Sequence, residues 1–405
     1  MARKSQNPQI ADKDIPRTVG SAVRPLAGGP SGQPMSPLEA RGEPAPARAT
    51  VRLGFVGDLM LGRGVDAVAG NRAAEEFWGD LAPLLGDADS VIGNLECPIT
   101  DTTERWMRCP KSFRFRASPK AIDILKAGNI GGVCLANNHV LDCEVAGLTD
   151  TLAHLDRAGI ARAGAGKSVR DASRPALFKA GGVTVGMVAV TDTMRPFAAG
   201  PDRAGTHYIR IDCDDLTLDP LWRLERDLRH GGADITILSA HWGPNLRPRP
   251  PARYRRFARA AIDLGFDVFH GHSAHILQGV EFRNKGLILY DTGDCLDDYW
   301  VFPGIRTDRS AVFFVEFGAG GVERLNIVPI FLTPTKVRRA RGPEARAIIK
   351  KILGLSRPFS AAGPDLNLTL DFSLGTPAKT GTGSVADRAA AQGAARPAIK
   401  TGAVQ

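Results

Sequence analysis

Short apolar runs of four to eight residues alternate along this chain with longer stretches whose apolar positions recur every three or four residues. The runs at 51–56, 90–93, 133–136, 183–190, 235–239, 266–269, 287–290, 311–317 and 325–331 predict β-strands. The stretches at 75–85, 119–127, 146–158, 216–229, 252–264 and 343–353 predict amphipathic helices. The second of these opens on Ser118-Pro119, a capping residue followed by a proline suited to the first helical position. Strands that alternate with helices and continue to the end of the patterned region predict an α/β domain with helices packed over sheets. No internal repeat interrupts the pattern.

Composition changes this picture at both ends. Residues 1–49 are rich in Pro, Ala, Arg, Gly and Ser, and the segment 359–405 turns to Ala, Gly, Thr and Pro. Neither segment carries enough apolar material to offset its ordering entropy, so both are expected to be disordered tails around one folded domain at 50–358. The apolar content of 43% supports a substantial core for that domain. No apolar run reaches membrane-spanning length, and the N-terminal segment has no signal-like apolar stretch. The six cysteines form no C-x-x-C pair and read as reduced thiols. The expected location is cytoplasmic or peripheral to a membrane. A net charge of +9 fits an anionic partner, whether phosphate substrate or acidic polymer, and equally a solvated basic surface. No nucleic-acid motif is present, and aromatic interleaving among the basic residues is sparse.

Chemistry enters at the ends of the predicted strands. Three of the eight histidines fall in His270-Gly271-His272-Ser273-Ala274-His275, directly after the run at 266–269. Four other runs end in Asp58, in Asn94-Leu95-Glu96, in Asn137-Asn138-His139 and in His241. Open α/β sheets place ligands at the carboxyl ends of their strands. Mixed carboxylate, amide and imidazole donors suit manganese, iron or zinc. A bridging carboxylate among them would support two ions about 3.5–4 Å apart. His139 is then the candidate general acid for a leaving group. Farther on, 247–256 packs five arginines around prolines, and Arg253, Arg255 and Arg256 are candidates for holding a phosphate or carboxylate. Gly164-Ala165-Gly166-Lys167-Ser168 resembles the end of a phosphate-binding loop, but Ala161 stands where its first glycine is needed, so it reads as a tight turn.

The ordered set Gly57-Asp58, Asn94-Leu95-Glu96, Asn137-Asn138-His139-x-x-Asp142, His241-Trp242-Gly243 and Gly271-His272-x-x-His275 resembles the CapA/PgsA capsule-synthesis family. That family makes poly-gamma-glutamate and belongs to the calcineurin-like metallophosphoesterase superfamily. Leu289-Tyr290-Asp291-Thr292-Gly293-Asp294 is similar to the branch of polyglutamine synthesis accessory proteins. The resemblance implies a four-layer αββα metallophosphoesterase-like sandwich of two mixed sheets faced by helices. It implies one metal site from Glu96, Asn138, His241 and His272, and a second from Asp58, the shared Glu96 and His275. Either Asn94 or Glu96 stands at the bridging position, and Glu96 is preferred because two cations need negative charge. Met60 replaces the histidine of the superfamily's first motif, so the second site loses a donor. The implied role is an accessory protein with a metal-dependent hydrolase site, one or two divalent ions, and an acidic polymer or phosphorylated substrate. Membrane subunits of a polymer synthase are the implied partners. A stand-alone phosphomonoesterase or phosphodiesterase and a non-catalytic subunit binding an acidic polymer are the alternatives.

Overall fold

The structure is a computed structural model that describes residues 50–301, 304–359 and 367–370. Its strands, numbered in chain order, form two mixed sheets. The first contains β1 (Val51–Leu59), β2 (Ser90–Leu95), β3 (Ile130–Cys134), β4 (Ala161–Ala163), β13 (Asp294–Leu296), β14 (Arg309–Gly318), β15 (Gly321–Thr333), β16 (Lys336–Arg339) and β17 (Asn367–Leu370). Its order is β16-β15-β14-β1-β2-β3-β4, with β13 against β1 and β17 against β15. The second contains β6 (Ala176–Ala180), β7 (Val183–Thr191), β9 (Ile235–His241), β10 (Val268–His272), β11 (Val280–Arg283) and β12 (Gly286–Leu289), in the order β11-β12-β10-β9-β7-β6. A two-stranded ribbon of β5 (Ala165–Gly166) and β8 (Gly205–Thr206) stands apart. Strands β1 to β4 run parallel, as do β12, β10, β9 and β7, while β14, β15, β16, β11 and β6 pair antiparallel.

Side-chain alternation along each strand sorts residues into separate cores. On β7, Val185, Met187 and Ala189 face a core shared with Leu53, Phe55, Phe313 and Val315 of the first sheet. Val188 and Val190 face the opposite way, toward Leu221 and Leu228 of the helix Asp215–His230 and Phe257 of the helix Ala252–Asp263. Behind the first sheet, Val91, Leu95 and Val133 meet Leu125 of the helix Ala121–Ala127 and Leu148, Leu152 and Leu155 of the helix Glu144–Ala158. Helix, sheet, sheet and helix therefore stack in four layers, as the resemblance implies. Burial on both faces explains why the central strands read as continuous apolar runs.

Local chemistry moved several boundaries. The helical stretch at 75–85 breaks into Glu75–Trp78 and Ala82–Gly86, because Gly79 adopts a φ of +54° between them. The helix at 119–127 begins at Ala121, after a turn in which the Ser118 carbonyl accepts from the Ala121 amide. Residues 1–49 lie outside the described residues, as does most of 359–405. Within the latter, Asn367–Leu370 pairs in parallel with β15.

One close approach decides how the centre of the first sheet is built. Beside Gly57 the chain of β1 meets the turn before β13, and the Asp58 amide donates to the Gly293 carbonyl at 3.0 Å. A Cβ on Gly57 would fall onto that carbonyl oxygen. Gly57→Ala is therefore expected to cost about 3 kcal/mol, the upper end of ordinary overpacking, and to lower Tm by several degrees. An unchanged thermal unfolding curve would show that the two segments separate without cost.

Candidate metal centre and acid

Parallel order within each sheet, together with the packing of one sheet on the other, brings the carboxyl ends of β1, β2 and β3 close to those of β9 and β10. Asp58 ends β1 and is almost wholly buried. Its Oδ1 lies 3.6 Å from His272 Nδ1 and 3.8 Å from His241 Nδ1, and the two imidazole nitrogens are 3.1 Å apart. Its Oδ2 lies 3.3 Å from His275 Nδ1, which is 2.8 Å from Asp294 Oδ1. Donor atoms of Asp58, His241 and His272 thus converge on one point, and those of Asp58, His275 and Asp294 on a second. Asp58 is common to both.

The second group depends on backbone geometry. His275 has a φ of +58° and Gly293 a φ of +70°, so both ligand-bearing loops turn back toward β1. Parallel pairing then sets Asp294 beside Asp58. Asp291 ties the two loops together, accepting from the amides of Ala274 at 2.8 Å and Gly293 at 2.9 Å. Burial raises its carboxyl to about 7 despite those two donors.

Glu96, the residue favoured for the bridge, is in neither of these two groups. Its Oε1 lies 3.8 Å from His241 Nε2 and 4.0 Å from His139 Nε2, and its Oε2 accepts from the Tyr299 hydroxyl at 3.0 Å. It forms the wall between the ligand groups and His139. Asn94 donates from Nδ2 to Asp58 Oδ1 at 2.8 Å while its Oδ1 accepts from Asn137. Asn137 in turn accepts from the amides of His139 and Val140, which fixes both amide orientations. Asn94 therefore orients the Asp58 carboxylate. Asn138 is half-buried at the cavity edge, and its Oδ1 has no hydrogen-bond partner.

Charge in this cluster is unbalanced. Burial, then the Glu96 carboxylate, pushes Asp58 well above the usual carboxylate range. Burial lowers the imidazoles of His241 and His272 well below their ordinary value. For His275 burial acts in the same sense, but Asp294, Glu96 and Asp58 outweigh it and hold the ring well above its ordinary value. His270 takes no part. Its Nε2 donates to the Val56 carbonyl at 3.0 Å, and burial lowers it to about 4. Ser239 lies 3.0 Å from His272 Nε2 and leaves Nδ1 toward Asp58.

His139 faces this cluster with its Nε2. Its Nδ1 donates to Asp142 Oδ2 at 2.6 Å, and Phe115 stacks on the ring at 4.1 Å. Lys111 donates to Asp142 Oδ1 at 2.7 Å, lies 2.8 Å from His139 Nδ1, and has its own pKa lowered by burial. A cavity of about 330 Å³ opens beside these groups, lined in part by Asn138, His139, His275 and Asp294.

The family model for the bacterial capsule synthesis protein PGA_cap matches residues 52–299, which contain every one of these groups. The chain belongs to this family. It is 30% identical to the PGA biosynthesis protein CapA of Bacillus subtilis over 324 residues, 78% of this chain and 81% of that one. It is 32% identical to a probable polyglutamine synthesis accessory protein of Mycobacterium tuberculosis over 358 residues, 78% of this chain and 93% of that one. Among solved structures, the sulfate thiohydrolase SoxB of Thermus thermophilus aligns at 11% identity over 78% of this chain and 62% of its own, with a TM-score of 0.38.

Several residues fall elsewhere than the sequence pattern suggested. Met60 is fully buried in the core behind the first sheet. Arg253, Arg255 and Arg256 lie on the helix Ala252–Asp263 over the outer face of the second sheet and do not line the cavity. Arg253 stacks on Tyr254, and Arg255 donates to the Pro250 carbonyl at 3.1 Å. Three groups at the site were missed. Asp294 begins β13, four residues past the apolar run at 287–290, so strand-end reasoning points to Asp291 instead. Lys111 and Arg63 lie in irregular or positive-φ backbone, which leaves no periodic signal.

Proposed function

We propose that this protein is an accessory factor in the synthesis of a poly-gamma-glutamate or polyglutamine-type capsule or cell-wall polymer, with a metal-dependent hydrolase site of the metallophosphoesterase type. The names of its relatives support the polymer. The observation that carries the hydrolase is the pair of donor groups sharing Asp58 across from the His139–Asp142 acid. Asp58 Oδ2, Glu96 Oε1 and Asn138 Oδ1 are buried oxygens without hydrogen-bond partners, which fits cation binding here. Asp58, His241 and His272 would hold one divalent ion, and Asp58, His275 and Asp294 a second, with Asp294 replacing the donor lost at Met60. Oxygen and imidazole donors of this mixture suit manganese, iron or zinc. A bound pair supplies Lewis-acid charge beside the reacting group. His139 delivers a proton from Nε2 to the leaving oxygen while Asp142 and Lys111 hold the ring. Tyr299 fixes Glu96 against the same space.

Purified full chain should contain divalent metal by elemental mass spectrometry and should hydrolyse phosphoesters from a broad panel. A metal-free protein inactive after loading with manganese, iron and zinc would overturn the hydrolase. The position of Arg253, Arg255 and Arg256 away from the cavity favours a separate surface for an acidic polymer. Polymer-synthase subunits in the membrane are its proposed partners. Among the described residues no helix is long and apolar enough to cross a membrane. Replacing the three arginines by Ala should weaken polyglutamate capture without loss of metal, most severely at low salt, where attraction is least screened. Unchanged capture at low salt would remove this surface.

A further inference from the structure

Arg63 is the arginine that does line the cavity. It opens the helix Arg63–Ala69, a few residues past the end of β1, and has a φ of +53°, a conformation that non-glycine residues adopt only where surrounding structure enforces it. The enforcing contacts are visible. Asp298 accepts from Arg63 Nε at 3.2 Å and pairs with Nη2 at 3.0 Å. The Gly64 amide donates to the same carboxylate at 3.0 Å, and a Cβ on Gly64 would come within 2.9 Å of it. The guanidinium carbon lies 5.5 Å from the centre of the Phe115 ring and 5.8 Å from that of Tyr299. One edge of the guanidinium is thus fixed on Asp298 between two rings, while its side chain stays 40% exposed. Phe115 also stacks on His139, and Tyr299 also holds Glu96, so the two rings connect Arg63 to the acid and to the ligand wall.

Resting on the hydrolase reading above, we infer that Arg63 anchors a second, singly charged group of the substrate, a carboxylate distinct from the reacting group. A guanidinium already paired with Asp298 carries little surplus charge, and Asp294 and Asp298 stand nearby. A monoanion suits that balance better than a second phosphate dianion. Phe113 and Trp300 complete the cavity wall and are 64% and 78% exposed, so the segment joining the two anionic ends meets aromatic surface. A volume of about 330 Å³ admits a small ester or the end of a chain.

The test uses two non-hydrolysable compounds, phenylphosphonate and 4-carboxyphenylphosphonate, titrated calorimetrically into full-length, manganese-loaded protein. The carboxylate should improve affinity about 10-fold, the expected worth of a charged pair at a partly exposed site. In Arg63→Met the two affinities should converge. Equal affinities in the wild-type protein overturn the anchor and leave the hydrolase reading standing, and this comparison holds even if the variant fails to fold. A preference that survives in folded Arg63→Met also overturns the anchor. Failure of both compounds to bind metal-loaded protein overturns the anchor together with the hydrolase.

Discussion

Asp58→Ala is expected to empty both metal positions at once, whereas His272→Ala and Asp294→Ala should each empty one. The asymmetry follows from geometry, because Asp58 faces His241 and His272 with one oxygen and His275 with the other. Loss of an outer hydrogen-bond partner commonly costs a site 10–100-fold in metal affinity, so loss of the shared ligand should cost at least about 100-fold. Elemental mass spectrometry after dialysis reads the stoichiometry. Because an ion bound only to the folded state raises its stability by mass action, the rise in Tm on adding manganese should vanish in Asp58→Ala. If Glu96→Ala emptied both positions while Asp58→Ala emptied one, the shared ligand would be Glu96.

His139→Ala should retain metal and lose roughly 10²–10⁴-fold in turnover, the usual worth of one positioned acid. The ring touches neither donor group directly, being separated from them by Glu96 at 4.0 Å. Its Nδ1 is committed to Asp142, so Nε2 is the nitrogen free to carry a proton to the cavity. Lys111→Met should lower turnover as well, and also stability, since it leaves the buried Asp142 without its cation. Asp142 additionally accepts from the Phe115 amide at 2.7 Å, so the ring that stacks on His139 would loosen with it. A His139→Ala protein with full metal and full turnover on every hydrolysed substrate would remove the acid from this residue.

Much of the centre was legible because strand ends are local. Asp58, His241 and His272 each stand at or just beyond the end of an apolar run, and parallel pairing sets His272 beside His241, while only the packing of the two sheets brings Asp58 to them. His270 shows the limit of that reading. It sits in the same histidine cluster, yet its side chain is spent on the Val56 carbonyl, and nothing in the spacing separates it from His272. The arginines at 253–256 show the complementary limit. Proximity in sequence to His241 suggested proximity to the site, but the helix that carries them packs across the outer face of the sheet.

The sequence by itself determined the alternation of strands and helices, the family, and the carboxylate, amide and imidazole side chains at the strand ends, because periodicity and short motifs are written in neighbouring residues. Tertiary structure alone decided that Asp58 is shared by both donor groups and that Asp294 joins His275 in the second. It also decided that Lys111 and Asp142 hold His139 and that Arg63 faces the cavity. Each of these depends on contacts between segments far apart in the chain, set by the close packing of β1 against the Gly293 turn and by loops held at positive φ. Such contacts are fixed only when two sheets and their helices close around one another, which no local pattern encodes.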